Sequence, residues 1–240
     1  MAVAFRSIDN TTYASRTNTT VTAPAGIVDD DILLLFGITA AATASETMTP
    51  PAGFSAVSLA SGTNPTTVVD GSSFNLRVWA WWKRAASESG DYTITHASNT
   101  SQGACIAISG AIASGDPVDA ATSHDESAGA GGATSTGDAV TTTVADTLLV
   151  FFGHDWADTG NDLTAPTGMT ERLDVAPLVY AATQDIAATG STGNRTMTNN
   201  SSDAQQSPWA TYMIAIKPPA VGGGLAIPIA YHHYRTMHSA

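Results

Sequence analysis

Two short clusters carry the residue types of acid–base chemistry: His154-Asp155 with Asp158, and His124-Asp125-Glu126. An imidazole beside carboxylates can take and return a proton near neutral pH. A hydrolase of the nucleophilic kind also needs a hydroxyl or thiol oriented by that base. No Gly-x-Ser-x-Gly elbow or comparable signature accompanies either cluster. Both are read as loop residues at strand ends, with a glycan hydrolase as the remote alternative. His232, His233 and His238 gather imidazoles near the C-terminal end, but their spacing fits no zinc pattern and no cysteine or carboxylate joins them. Asp29-Asp30-Asp31 and the pair Asp116/Asp119 offer oxygen ligands without the spaced loop, glycine and distal glutamate of a calcium site. Turn chemistry, with Asp accepting backbone hydrogen bonds, accounts for them. The expectation is no catalytic residue, no cofactor and no metal.

Trp79, Trp81 and Trp82 crowd one segment. In a strand Trp79 and Trp81 share a face with Lys83, and Trp82 turns to the other face with Val78 and Ala80. Exposed indoles can stack on sugar rings, so Trp79 and Trp81 are candidate ligand or subunit contacts; burial in a core is the commoner use of such residues. Cys105 sits inside an apolar strand pattern, which predicts a buried, inert thiol and no disulfide framework.

The elements that position these residues come in two copies. DILLLFG (31–37) and DTLLVFFG (146–153) are versions of one phrase, with Asp31 matched to Asp146 at an offset of 115 (146 − 31). TPPAGF (49–54) and TAPTGM (164–169) follow, with Gly53 and Gly168 lying 115 positions apart (168 − 53). LRVWAWWK (76–83) answers PLVYAATQ (177–184), SGDYTITHASN (89–99) answers TGNRTMTNNSS (192–202), and ACIAISGA (104–111) answers TYMIAIKP (211–218). The offset falls to 101 at Val78 and Val179 (179 − 78) and rises to 108 at Ile106 and Ile214 (214 − 106). Copies that keep strand order and vary in spacing differ in their loops. At position 79 the second copy has Tyr180, and at 81 it has Ala182, so a double aromatic platform is not repeated.

Short runs of Val, Ile, Leu, Phe, Trp and Thr between Gly, Pro, Asn and Asp clusters predict an all-β fold. Strands are expected near 2–8, 11–22, 31–40, 55–60, 74–84, 91–96, 103–111, 140–144, 147–154, 170–175, 177–184, 194–198 and 209–217. LLLF and LLVFF are continuous apolar runs, so those strands should be covered on both faces or lie at a sheet centre. Gly53 and Gly168 suit turns that need positive φ. The polar, Gly-rich stretch 113–138 reads as a long surface connection. The whole is expected to be an antiparallel β-sandwich, jelly-roll-like, built from repeat halves at about 20–112 and 138–218 within one domain spanning 1–220. After a Pro-Pro and Gly-Gly-Gly break, 221–240 reads as an extended C-terminal docking arm. Its alternating Ile227, Ile229, Tyr231 and His233, with Leu225 and Tyr234, are the candidate partner contacts.

Charged residues make up 12% of the chain, about half the usual share of roughly 25%. With two lysines and a net charge of −12, no basic stripe exists for nucleic acid. The opening MAVAFRSIDN lacks a basic region followed by an apolar run, and no stretch approaches a membrane span of about 18 apolar residues. A soluble product made in the cytosol, without signal peptide or membrane insertion, is expected.

The order PAG-[IV]-x-x-x-D-x-LLL (24–35), TPPAGF (49–54), the Trp-rich strand ending in Trp82-Lys83, SGDYT (89–93), GDPVDA (115–120), DTLLV and PTGMTER (166–172) resembles a β-sandwich module of bacteriophage virion proteins. The resemblance covers roughly 20–218 and rests on fold-forming motifs, so it carries over no catalytic residue. It implies a non-enzymatic structural protein on the exterior of the virion, as a capsid decoration or tail-associated protein, contacting other capsid or tail proteins. A homo-oligomer, with a trimer as the form common in such appendages, follows from it. The alternative is a carbohydrate-binding tail-fibre adhesin that recognises a host glycan.

Overall fold

The structure is a computed structural model and describes residues 2–41, 46–70, 74–126, 134–155, 163–175, 179–200 and 209–219. The first half contributes β1 (Ala4–Val21), β2 (Ile32–Ala41), β3 (Met48–Thr49), β4 (Ser55–Ala56), β5 (Thr66–Asp70), β6 (Phe74–Arg84) and β7 (Tyr92–Ser109). The second contributes β8 (Val118–Glu126), β9 (Thr134–Gly137), β10 (Thr141–Thr142), β11 (Thr147–Asp155), β12 (Leu163–Thr164), β13 (Thr170–Val175), β14 (Val179–Ile186), β15 (Gly190–Ser191), β16 (Arg195–Asn199) and β17 (Trp209–Ile216). The protein is all-β, and among the described residues every pair of named strands is antiparallel.

The duplication is topological as well as sequential. The main sheet of the first half runs β1-β7-β2-β6-β4, and that of the second runs β8-β17-β11-β14-β13, so the two match strand for strand. Their inner faces share one core. Ile32, Leu34, Phe36 and Ile38 of β2 meet Leu148, Val150 and Phe152 of β11 there, flanked by Ala104 and Ile106 of β7 and by Tyr212 and Ile214 of β17. The Phe36 and Phe152 rings lie face to face, with centroids 3.7 Å apart and planes within 2°. The Tyr212 hydroxyl crosses this core to donate to Val78 O (2.7 Å) and accept from the Thr66 amide (3.0 Å).

Alternate residues on the same strands face outward, and each half covers them itself. Leu33 and Leu35 join Trp79, Trp81, Met48, Tyr92, Ile94 and Val21 in one outer cluster; Leu149 and Phe151 join Tyr180, Met197, Leu163 and Met213 in the other. The two continuous apolar runs are therefore buried on both faces, as expected. Full burial of each such side chain is worth roughly 1.5–3 kcal/mol, which is why the runs sit at the sheet centres. Gly37 makes room for the outer layer: a Cβ there would lie 2.7 Å from Met48 Sδ and 2.9 Å from Trp81 Cζ3. The expected turns also form. Gly53 and Gly168 have φ of 88° and 82°, and Phe54 and Met169 close the turns by donating to Pro51 O and Pro166 O.

Four expectations need correction. The stretch 113–138 is not a bare connection, because β8 pairs with β17 and β9 pairs with β16. Its strands escape a hydrophobic pattern because the residues they bury include Ala121, Thr122, Ser123 and Ser135. The segments 2–8 and 11–22 are one strand, bent by register shifts at Phe5/Ser7, Thr11/Ala14 and Arg16/Asn18, and 91–96 and 103–111 likewise fuse into β7. Strand β5 lies outside every expected strand. Finally, matching Asp31 to Asp146 places β2 one residue out of register with β11. Asp30 and Asp146 share the positive φ (72° and 57°), and Phe36 and Phe152 share the inner face. The true offset there is 116 (152 − 36), and a slip of one residue would exchange the two faces.

Candidate functional site

The structure brings the two acid–base clusters to one end of the second sheet, on either side of β17. Cross-strand rows run Asp125–Ala210–His154 and Glu126–Trp209–Asp155, with His124–Thr211–Gly153 next to them. Asp158 lies outside the described residues. Strand alternation then separates the two histidines. His154 continues the inner row of Leu148, Val150 and Phe152, whereas His124 turns to the outer face, where its ring stacks on Trp209 (centroids 5.2 Å, 15°). A substrate cannot meet both imidazoles, since the sheet lies between them.

His154 is fully buried, and among the described residues neither ring nitrogen meets a partner with hydrogen-bond geometry. Desolvation, only partly opposed by its own backbone, pushes its pKa down to about 3, so the imidazole is neutral at physiological pH. Asp125 is shifted the other way: burial raises its pKa, opposed by His124 and reinforced by Glu126. On the outer face His124 Nδ1 lies 2.9 Å from Asp138 Oδ2. That is the base-and-orienter half of a triad, but the neighbouring hydroxyls are already committed. Thr122 Oγ1 donates to Asp138 O (2.8 Å) and Thr211 Oγ1 donates to Thr136 O (2.9 Å). Cys105 is buried in the other half, and desolvation raises its pKa, so it is no nucleophile here.

The aspartate clusters serve the backbone. Asp29 accepts from the Ser87 amide (2.6 Å), and Asp31 is buried against Arg6 (Nε to Oδ2 2.6 Å) while accepting from the Val28 amide (3.0 Å). Asp116 accepts from the Val118 amide (2.9 Å) and Asp119 from the Thr143 amide (2.6 Å). Among the described residues no group of three or more His, Cys, Asp or Glu could hold a metal ion.

Trp79 and Trp81 are 6% and 5% exposed and stack on one another at 6.3 Å and 12°, with the Arg77 guanidinium 5.0 Å from the Trp79 ring centroid. Their faces are filled from within the chain. Leu225, Ile227, Ile229, Tyr231, His233 and Tyr234 lie outside the described residues.

One surface feature occurs in both repeats, across segments expected as strand (18–20, 93–95 and 196–198), as turn phrase (49 and 164) and as surface connection (134–136). Cross-strand rows Asn18–Thr95–Thr49 and Thr20–Thr93 recur as Thr134–Thr198–Thr164 and Thr136–Thr196. The hydroxyls of Thr20 and Thr93 lie 3.1 Å apart, and those of Thr136 and Thr196 lie 3.0 Å apart. The T-x-T spacing in TIT (93–95), TST (134–136) and TMT (196–198) is the signal that could have located it. No protein-family model matches the chain, and no curated protein matches it.

Proposed function

We propose that the chain is a non-enzymatic structural protein on the exterior of a bacteriophage particle, attached through residues 225–240 as a capsid decoration or tail-associated subunit. One observation carries the non-enzymatic part. The repeats share their apolar rows and Pro/Gly turns, while the acid–base clusters occur in one repeat and their two histidines, His124 and His154, lie on opposite faces of its sheet. The virion context rests on the sequence resemblance. Mass spectrometry of purified particles, followed by antibody labelling in electron micrographs, tests it: the chain should copurify with particles and label their surface. Its confinement to the soluble lysate would refute the proposal.

The threonine rows favour the adhesin as the second reading, because hydroxyl arrays are the polar surface that both repeats kept. Glycan-array binding that is lost on replacing Thr93, Thr95, Thr196 and Thr198 with valine would support it, and silence across host glycans would count against it.

A further inference from the structure

Residues 110–117 join the two repeats, between the end of β7 and the start of β8. This link ends in Asp116-Pro117, the only Asp-Pro pair in the chain. Gly115 and Asp116 are exposed, whereas Pro117 is buried. A Cβ added at Gly115 would meet nothing within 4 Å, so solvent reaches the approach to the bond.

Lys217, the residue after β17, straddles that bond. Its backbone N–H donates to Pro117 O (2.8 Å), and its ammonium donates to Asp116 O (3.1 Å). Ile112 N–H donates in turn to Lys217 O (3.1 Å) and fixes Lys217 in place. On the other side, Asp116 Oδ1 accepts from the Val118 amide (2.9 Å). This hydrogen bond closes a ring containing the Asp116 carbonyl carbon and the Pro117 nitrogen, so the carboxylate is folded back along the bond it flanks. The turn needs only the Asp116–Val118 contact. The ammonium additionally draws electron density from the one carbonyl that this carboxylate can reach by closing a five-membered ring.

We propose that the chain cleaves itself between Asp116 and Pro117. Asp116 Oδ2 attacks the Asp116 carbonyl carbon, a step favoured because nucleophile and target belong to one residue. Negative charge gathers on Asp116 O, beside the Lys217 ammonium. The C–N bond then breaks: its electron pair goes to the Pro117 nitrogen, which takes a proton from solvent. Proline suits this departure, since its nitrogen leaves as a basic secondary amine. Water opens the resulting cyclic anhydride, restoring the Asp116 side chain and leaving a carboxyl group at the former carbonyl carbon. One peptide bond and one water are consumed, and one carboxyl and one amine are formed. The reaction happens once per chain and does not depend on the virion reading.

The products, 1–116 and 117–240, are the two repeats. They stay together through the Phe36–Phe152 stack, the Tyr212 hydroxyl on Val78 O and the Ala60 amide on Ala121 O. Cleavage thus turns a tethered pair into a two-chain subunit, with a new N-terminus immediately before β8.

The test keeps the full chain folded in mildly acidic buffer at physiological temperature and follows it by denaturing gels and intact mass. Fragments 1–116 and 117–240 should accumulate while the gel-filtration volume stays that of the uncut protein. Asp116→Asn keeps an oxygen for the Val118 amide but is a poor nucleophile, and it should stop the reaction. Lys217→Ala should slow it at least about tenfold, and Lys217→Arg should restore it; circular dichroism checks that each variant is folded. A wild type that stays whole, a rate no faster than that of the same chain unfolded in urea, or a Lys217→Ala rate equal to wild type would overturn the proposal. Fragments that separate on gel filtration would overturn the two-chain subunit.

Discussion

Replacing His154 with isoleucine should stabilise the protein, and more so as the pH falls. The first repeat supplies the choice, because Ile38 occupies the equivalent position beside Phe36. At pH 7.5 the neutral imidazole is buried with both nitrogens unpartnered among the described residues, a cost of about 1–3 kcal/mol that isoleucine removes. The acid part follows from linkage. The folded-state pKa is lowered from 6.5 to about 3, so between those values the unfolded chain binds a proton that the folded chain refuses. The wild type is at its full stability above pH 6.5 and loses it as pH falls toward the folded-state value. The loss is at most about 1.4 kcal/mol per pH unit, or roughly 2–3 kcal/mol between pH 7.5 and 4.5. Asp125, two strands away in the same row, remains in both proteins, and its own titration largely cancels in the difference. Urea denaturation followed by tryptophan fluorescence at four pH values measures that difference. A difference that stays flat from pH 7.5 to 4.5, or a variant less stable than wild type at pH 7.5, would refute the reasoning.

Gly37→Ala forces a methyl against Met48 and Trp81 and should cost about 1–3 kcal/mol in thermal or chemical denaturation. Tyr212→Phe leaves Val78 O and the Thr66 amide without their shared partner; a loss of about 1–3 kcal/mol is expected, with no change in secondary structure by circular dichroism. Cys105 should resist thiol reagents in the folded protein and react in denaturant, since it is buried and its thiolate is disfavoured.

Apolar runs made β2, β6, β11, β14 and β17 legible, because those central strands bury side chains on both faces. Strands β8 and β9 were not, since apart from Val118 what they bury is alanine, serine, threonine and glycine, and their place is fixed by partners distant in sequence. The duplication was legible, but its register was not: a shared phrase such as LLLF against LLVFF aligns by letters, whereas the fold aligns by face. His154 could have been placed on the inner face by counting from Leu148, Val150 and Phe152. The stacking of His124 on Trp209 joins strands that only the three-dimensional pairing brings together, and no spacing rule would have found it.

The Phe36–Phe152 stack has an evolutionary consequence. In a symmetric dimer a residue meets its own copy only at the two-fold axis, and these two equivalent rings touch at 3.7 Å. The interface between the halves therefore has the form of a homodimer interface made permanent by a tether. A single repeat, produced alone, would close on another copy of itself through the same rings. Once both copies shared one chain, each was free to lose what the other still supplied.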